Sequence, residues 1–373
     1  MAEETLWKFE PHTVAKHQIL KAYISAWAPI LLQGYNERVV YIDGFAGPGE
    51  DINGVEGSPT IALRTLIEHK FRERFKNIFM LFVELKSKRV EHLKTVLVSK
   101  FPTLPSSIKY EIVESDFNVE LKGLLDNLHK EGSKLAPTFC FYDPFGWDVI
   151  DIDLLAEFML ENKAELFITF MVGFIDRFAK DTKSRESFSK IFNEEQLDRI
   201  GEAAGSDKED VTLQFFVRNL EDALKAKGKG RRLYHISFAI VNSTNNISYY
   251  LIYFTFNTTG MRAMKDAMCS VARDGSYKFS DFDFEPNQSM IFDFIEEVTW
   301  VNQAADEIYQ KFKGNKIKTG MLKNYIIAET NWPFRADILR HLEKQRKIRY
   351  LGNRRTRALT YADENAEIEF FNE

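Results

Sequence analysis

The chain has 373 residues, with 50 Lys and Arg against 55 Asp and Glu for a net charge of −5, and 45% hydrophobic content that includes 32 Phe and 14 Tyr. Such a composition supplies a substantial core and excludes a disordered chain or a uniformly basic nucleic-acid binder. No apolar run reaches the roughly 18–20 residues needed to span a bilayer, the N-terminal MAEETLWKFEPH lacks the features of a secretory signal, and the two cysteines, Cys140 and Cys269, support neither a disulfide framework nor a Cys-based metal site, so a cytoplasmic protein is expected.

In chain order, Thr13–Leu32 has the apolar spacing of a helix (Ile19, Leu20, Tyr23, Ile24, Trp27). Arg38–Asp43 (RVVYID) reads as a short buried strand that runs into a glycine-rich turn, after which Ser58-Pro59 opens a helix. Ile78–Glu84 (IFMLFVE), Lys109–Glu114, Pro137–Asp143 and Ala164–Met171 are further apolar strands, separated by the helical stretches Ser87–Lys100 and Val119–His129. Strands this apolar, alternating with helices, predict a doubly wound α/β fold with a parallel sheet covered on both faces. Residues 174–231 read as a helical insertion, a substrate-facing subdomain or lid. Two strands near Leu233–Val241 and Ser248–Phe256 follow, and their short NSTNN connection permits only antiparallel pairing. Thr258–Ala272 has the pattern of a helix.

From about Asn287 the pattern is helical, with helices expected near 288–299, 302–313, 318–328 and 334–346. A basic hairpin, Ile348–Tyr361, follows, with its turn at Gly352-Asn353. Between Lys311 and Arg357 there are 14 Lys and Arg against three acids, a local balance of +11 that leaves −16 on the rest of the chain. Helices closed by a two-stranded basic wing predict a winged-helix-like α+β module at 286–373, joined to an α/β domain at 1–285. Within Arg346–Arg357, the residues Arg346, Lys347, Arg349, Arg354, Arg355 and Arg357 are expected to contact phosphates of DNA or RNA. A solvated basic hairpin or a protein interface is the plainer reading.

The strongest local signal is Tyr41-Ile-Asp-Gly-Phe-Ala-Gly-Pro-Gly49, in which an acid ends the first strand and small residues let the backbone turn close to a ligand. Its spacing is neither GxGxxG nor GxxxxGK[ST]; it resembles the DxFxGxG loop that cradles the methionine end of S-adenosylmethionine. Asp43, Gly44, Phe45, Gly47 and Gly49 are therefore expected cofactor residues. Glu84 ends the second strand, where a carboxylate accepts from ribose hydroxyls. Asp116 follows the third, either as an acceptor for the adenine amino group or as a plain helix N-cap. Lys16 shares the first helix with His17, near His12, and would pair with the cofactor carboxylate or simply line a solvated face.

Asp143-Pro144-Phe145-Gly146 follows the fourth strand. It is similar to the [DNS]PP[YFW] tetrad of amino-methyltransferases and, more closely, to the DPFG of tRNA guanine-N2 methyltransferases. That likeness makes Asp143 the acceptor that orients a target amine, with Phe145 or Trp147 stacking on an extruded base; in the alternative, Phe145 merely packs in a strand-to-helix turn. No HExxH or comparable spacing suggests a metal, and no GxSxG elbow suggests a serine hydrolase.

Together HTVAKHQIL, YIDGFAGPG, GSPTIAL, YDPFGW, the run ISYYLIYFTFNTTGMRAMKDAM and the basic hairpin resemble the three-Cys-motif partner family (TcmP) through nearly the whole chain. The resemblance implies a Rossmann-like class I methyltransferase sheet, S-adenosylmethionine as cofactor, and association with a radical-SAM-type three-Cys protein. Two functions stay open: a methyltransferase acting on a nucleobase amino group of DNA or RNA, or a catalytically inactive partner that keeps the fold as a nucleic-acid-binding platform.

Overall fold

The computed structural model describes residues 5–32, 38–146, 149–173, 182–228, 230–242, 246–272, 274–280, 290–353 and 361–372, with side chains left out at 182–184, 206 and 290–299. The chain packs as two compact units: a sheet unit, 1–257 with 278–284, and a second unit, 258–277 with 285–373. The boundary expected at 285/286 is thus displaced, because the stretch Thr258–Tyr277 packs with the C-terminal residues.

The sheet unit opens with α1 (Pro11–Leu32). It then alternates β1 (Val39–Asp43), α2 (Ser58–Ile67), β2 (Ile78–Glu84), α3 (Ser87–Lys100), β3 (Ile108–Glu114), α4 (Phe117–Lys130), β4 (Thr138–Tyr142), α5 (Ile152–Met159) and β5 (Ala164–Phe170). After the helices α6 (Thr182–Phe188), α7 (Glu194–Glu202) and α8 (Ser206–Ala226), β6 (Tyr234–Val241) and β7 (Ile247–Thr255) form the expected hairpin. A short strand, β8 (Lys278–Ser280), adds to the outer edge. The strand order is β3-β2-β1-β4-β5-β7-β6-β8, with β7 antiparallel to both of its neighbours and the remaining pairings parallel. A parallel sheet closed by one antiparallel hairpin strand is the Rossmann-like, class I methyltransferase type of α/β fold.

The central strands are buried along their whole length, which is why they read as continuous apolar runs rather than alternating ones. β1 lies between β2 and β4, with Asp43 opposite Phe82 and Phe141, so Glu84 and Asp143 each stand two residues further along their strands toward the same edge of the sheet. The helix α1 buries Ile19, Leu20, Tyr23, Ile24 and Trp27, the stripe its spacing predicts.

The described helices of the insertion bury Phe188, Leu197, Phe216 and Leu220 in the same core as β4 and β5. Phe216 stacks on Phe170 of β5 with ring centres 4.3 Å apart. The start of the insertion, 174–181, lies outside the described residues.

In the second unit, α9 (Thr258–Cys269) is followed by α10 (Met290–Phe312), β9 (Lys316–Lys318), α11 (Thr319–Glu329), α12 (Ala336–Lys344), β10 (Ile348–Tyr350) and β11 (Glu367–Phe370). The helices expected at 288–299 and 302–313 are one helix of 23 residues. β10 pairs with Glu367–Phe370, and β11 in turn pairs with β9; the second arm of the expected Ile348–Tyr361 hairpin, 354–360, lies outside the described residues. Burial decides this register, because Ile368 and Phe370 point into a core with Ile308, Leu322, Ile338 and Leu339. The Lys265 ammonium of α9 donates to the carbonyl of Ile326, in the last turn of α11, and to those of Thr330 and Trp332 just beyond it.

Candidate functional site

Four carboxylates stand at or just past the C-terminal ends of β1 to β4: Asp43, Glu84, Asp116 and Asp143. In an open α/β sheet this is the edge where ligands bind. The structure sorts the expected residues into two groups. Gly44, Phe45, Glu84, Asp116, Phe145 and Gly146 line a cleft of about 300 Å³, together with Leu85, Lys86, Arg89, Ser115, Phe117 and Val149. Lys16, Asp43 and Asp143 form a second group that does not line the cleft.

In the cleft, Glu84 is 4% exposed and its carboxylate is fixed by two backbone amides. Gly47 N–H donates to Oε2 at 2.9 Å and Lys86 N–H to Oε1 at 2.9 Å. Each oxygen keeps one further lone pair for a ligand hydroxyl. Asp116 is the N-cap of α4 and accepts from Val119 N–H at 3.1 Å through Oδ1. The plain cap reading is therefore met, by a cap that uses one of its two oxygens. The absence of a side chain at Gly44 is required by Phe117, whose ring would lie 2.7 Å from an added Cβ.

Gly47 and Gly49 have φ of +63° and +86°, the left-handed region that glycine alone adopts without strain. Their roles differ. Gly47 aims its amide at Glu84, whereas the Gly49 carbonyl accepts from Gly57 N–H at 2.8 Å and Thr60 Oγ1 at 2.6 Å. A Cβ on Gly49 would lie 2.7 Å from Leu93. Gly49 is thus a packing residue that ties the loop to α2 and α3, and it does not line the cleft.

In the second group, Asp43 is fully buried. It accepts from Phe45 N–H at 3.4 Å and from Tyr41 OH at 3.5 Å. Burial pushes its carboxyl up to about 7; Asp143 adds to the rise, while the Ser58 hydroxyl, the Phe45 amide and Lys16 oppose it. Asp143 is clamped by two side chains: Thr169 Oγ1 donates to Oδ1 at 2.5 Å and the Lys16 ammonium to Oδ2 at 2.5 Å. Lys16, expected on a cofactor carboxylate or a solvated face, is instead 8% exposed and ion-paired to the tetrad acid. Its neighbour His17 is pushed down to about 3 by burial and by Lys16, so it is neutral at physiological pH. His12 sits against the ring of Tyr249.

Pro144 is buried, while Phe145 is 61% exposed at the rim of the cleft. It does not merely pack in a turn. Trp147 lies outside the described residues. Thr169, Arg89 and Trp7 carry no signal in the sequence, since each comes from an element remote from the tetrad and belongs to no motif.

In the second unit Lys347 pairs with Asp306 at 3.1 Å and Arg349 with Glu369 at 2.5 Å. Arg346 takes φ +57° just beyond α12. Arg354, Arg355 and Arg357 lie outside the described residues. Part-exposed pairs of this kind contribute little to stability. Among the described residues no helix is long and apolar enough to cross a membrane, and no group of three His, Cys, Asp or Glu is arranged to hold a metal ion.

No protein-family profile matches the chain, and no curated protein matches it by sequence. Among solved structures it is similar to Trm1 from Pyrococcus horikoshii, in complex with S-adenosyl-L-methionine, with TM-score 0.40 and 12% identity over 68% of this chain and 57% of that one. The chain thus spans just over half the length of that protein. It is also similar to the O-methyltransferase TomG from Streptomyces achromogenes, involved in tomaymycin synthesis, in complex with S-adenosylmethionine (TM-score 0.31, 10% identity, 64% of this chain and 79% of that one). A third is the plantazolicin methyltransferase BpumL in complex with S-adenosylhomocysteine (0.31, 9%, 65% and 84%). At such scores the fold assignment rests on strand order and register alone.

Proposed function

We propose that the chain is an S-adenosylmethionine-dependent methyltransferase acting on an amino group of a nucleobase in DNA or RNA. The observation that carries this reading is the set of acids, Asp43, Glu84, Asp116 and Asp143, at the C-terminal ends of four successive strands, the ligand-binding edge of the sheet, with Glu84 and Asp116 lining a cleft there beside Gly44.

The donor set suits the cofactor. Glu84, held by two amides, has lone pairs for both ribose hydroxyls. Asp116 is an acceptor for an adenine amino group, and Phe45, Phe117 and Val149 give the cleft apolar walls. Asp43 and the Gly44–Gly47 backbone would hold the methionine portion. Bound there, the cofactor supplies an electrophilic methyl on a sulfonium. Asp143, fixed by Thr169 and Lys16, accepts from an N–H of the acceptor amine and turns the nitrogen lone pair toward that methyl. Phe145 offers an exposed face on which a base stacks. As the new N–C bond forms, the methyl–sulfur bond breaks, its electron pair stays on sulfur as a neutral thioether, and the amine sheds a proton to solvent. Alignment supplies most of the acceleration, because a neutral thioether is a good leaving group.

In the second unit, the order helix, strand, helix, helix, strand, strand with a three-stranded antiparallel sheet supports a winged-helix reading, in which the basic stretch that begins at Arg346 and runs through β10 leads into the wing. One observation favours the rival reading of an inactive partner to a radical-SAM-type three-Cys protein: the Lys16 ammonium already neutralises Asp143.

Transfer of a labelled methyl group from S-adenosylmethionine to tRNA, rRNA and genomic DNA separates the two. The enzyme reading expects label in one of these, lost by at least about a hundredfold in Asp143→Ala with cofactor affinity within a few-fold of wild type. Equal loss of both in that variant would contradict the role of Asp143, and no label in any nucleic acid would favour the partner reading.

A further inference from the structure

The exposed ring at the rim of the cleft belongs to a three-residue stack that no motif announces. The Arg89 guanidinium carbon lies 5.3 Å from the ring centre of Phe145 and 4.8 Å from that of Trp7. The two rings meet edge to face, 5.6 Å apart at 76°. Arg89 rises from the first turn of α3, and its side chain is only 14% exposed. Its Nη1 stands 4.0 Å from a Glu84 oxygen, the outer limit of an ion pair. Among the described residues its guanidinium makes no hydrogen bond.

The other half of the stack is anchored as well. Ile52 N–H donates to the Trp7 carbonyl at 3.2 Å, and Phe9 N–H donates to Asp51 Oδ2 at 3.2 Å. The segment carrying Trp7 is therefore tied to the loop that follows Gly49.

A guanidinium held against aromatic faces keeps its N–H edge free for hydrogen bonding, and that edge matches a phosphate in two parallel bonds. Beside it, Phe145 is 61% exposed, and an exposed aromatic ring can stack on a flat base. We propose that Trp7, Arg89 and Phe145 form a nucleotide clamp at the mouth of the cleft. Phe145 stacks on the acceptor base, Arg89 takes the phosphate flanking it, and Trp7 holds the guanidinium in the plane that allows both. The clamp rests on the methyltransferase reading only in naming this base as the one modified.

Fluorescence anisotropy of labelled single-stranded 12-mers of RNA and DNA tests this with the full chain, from low to moderate salt, alongside calorimetry of S-adenosylhomocysteine. Arg89→Met is expected to weaken oligonucleotide binding by about tenfold and to reduce the salt slope by about one. Phe145→Ala is expected to weaken binding with the slope unchanged. Should Arg89→Met fail to fold, Arg89→Lys serves: it is expected to keep the slope and lose affinity, since an ammonium cannot stack between the rings. Wild-type affinity and slope in the Arg89 variants would overturn the clamp. So would a loss of S-adenosylhomocysteine affinity by the same factor, which would make Arg89 a cofactor contact. Wild-type chain that binds the oligonucleotide through these residues but not S-adenosylhomocysteine would keep the clamp and sink the methyltransferase reading.

Discussion

At the residue scale the site is a problem in burying negative charge. Asp43 is completely enclosed and its carboxyl is raised to about 7 by that burial. A carboxyl raised in the folded state binds more protons folded than unfolded between about pH 4 and 7, so this group lowers stability as pH rises through that window. Asp43→Asn removes the effect and keeps an acceptor for the Phe45 amide. It is expected to raise the melting temperature at pH 8 by at least about 2 °C; an unchanged or lower value would show that the charge is not a cost to the fold. The same titration bears on ligand binding. If Asp43 holds the cationic amino group of the cofactor, affinity is expected to fall up to about tenfold per pH unit below 7. Calorimetry of S-adenosylmethionine from pH 5.5 to 8 measures this, and a flat profile would remove Asp43 from the amino-group role. Residues at strand ends are legible in the sequence because an apolar run that stops at an acid marks both the strand and its outlet. The partners of Asp143 are not legible. Lys16 lies 127 positions away and Thr169 26 away, and only the folded sheet brings them together.

At the element scale, continuous apolar runs such as Ile78–Glu84 betray the parallel strands, because strands buried on both faces carry no polar alternation. Three-residue strands such as Lys278–Ser280 and Lys316–Lys318 leave no such trace, since so short a stretch has no periodicity to read. The strand that pairs with Ile348–Tyr350 is hard to read for a different reason: Glu367–Phe370 lies far along the chain and is only four residues long, alternating two acids with two buried apolar residues. The insertion is legible as helical but not as core. Phe216 is fully buried against Phe170 and Phe254, so Phe216→Ala is expected to destabilise the sheet unit by about 3–5 kcal/mol. Denaturant unfolding checks this, and a loss below about 1 kcal/mol would point to a loosely attached lid.

At the scale of the whole molecule, charge is divided unevenly: the stretch from Lys311 to Arg357 is strongly basic on a chain whose net charge is −5. Phosphate contacts from such a stretch are sequence-tolerant and salt-dependent, so nucleic-acid affinity is expected to fall steeply between about 50 and 200 mM salt, by orders of magnitude if several cations engage. A salt-independent affinity would assign the stretch to some other partner. Specificity would then reside in the sheet unit, where Glu84, Asp116, Gly44 and the exposed Phe145 line one cleft. The central claim is that this cleft holds S-adenosylmethionine. Calorimetric titration of S-adenosylmethionine into the purified chain, with Glu84→Ala beside it, tests that claim most directly. Micromolar binding that is lost in Glu84→Ala is the expected result, and a folded wild-type chain that takes up no S-adenosylmethionine would contradict the account.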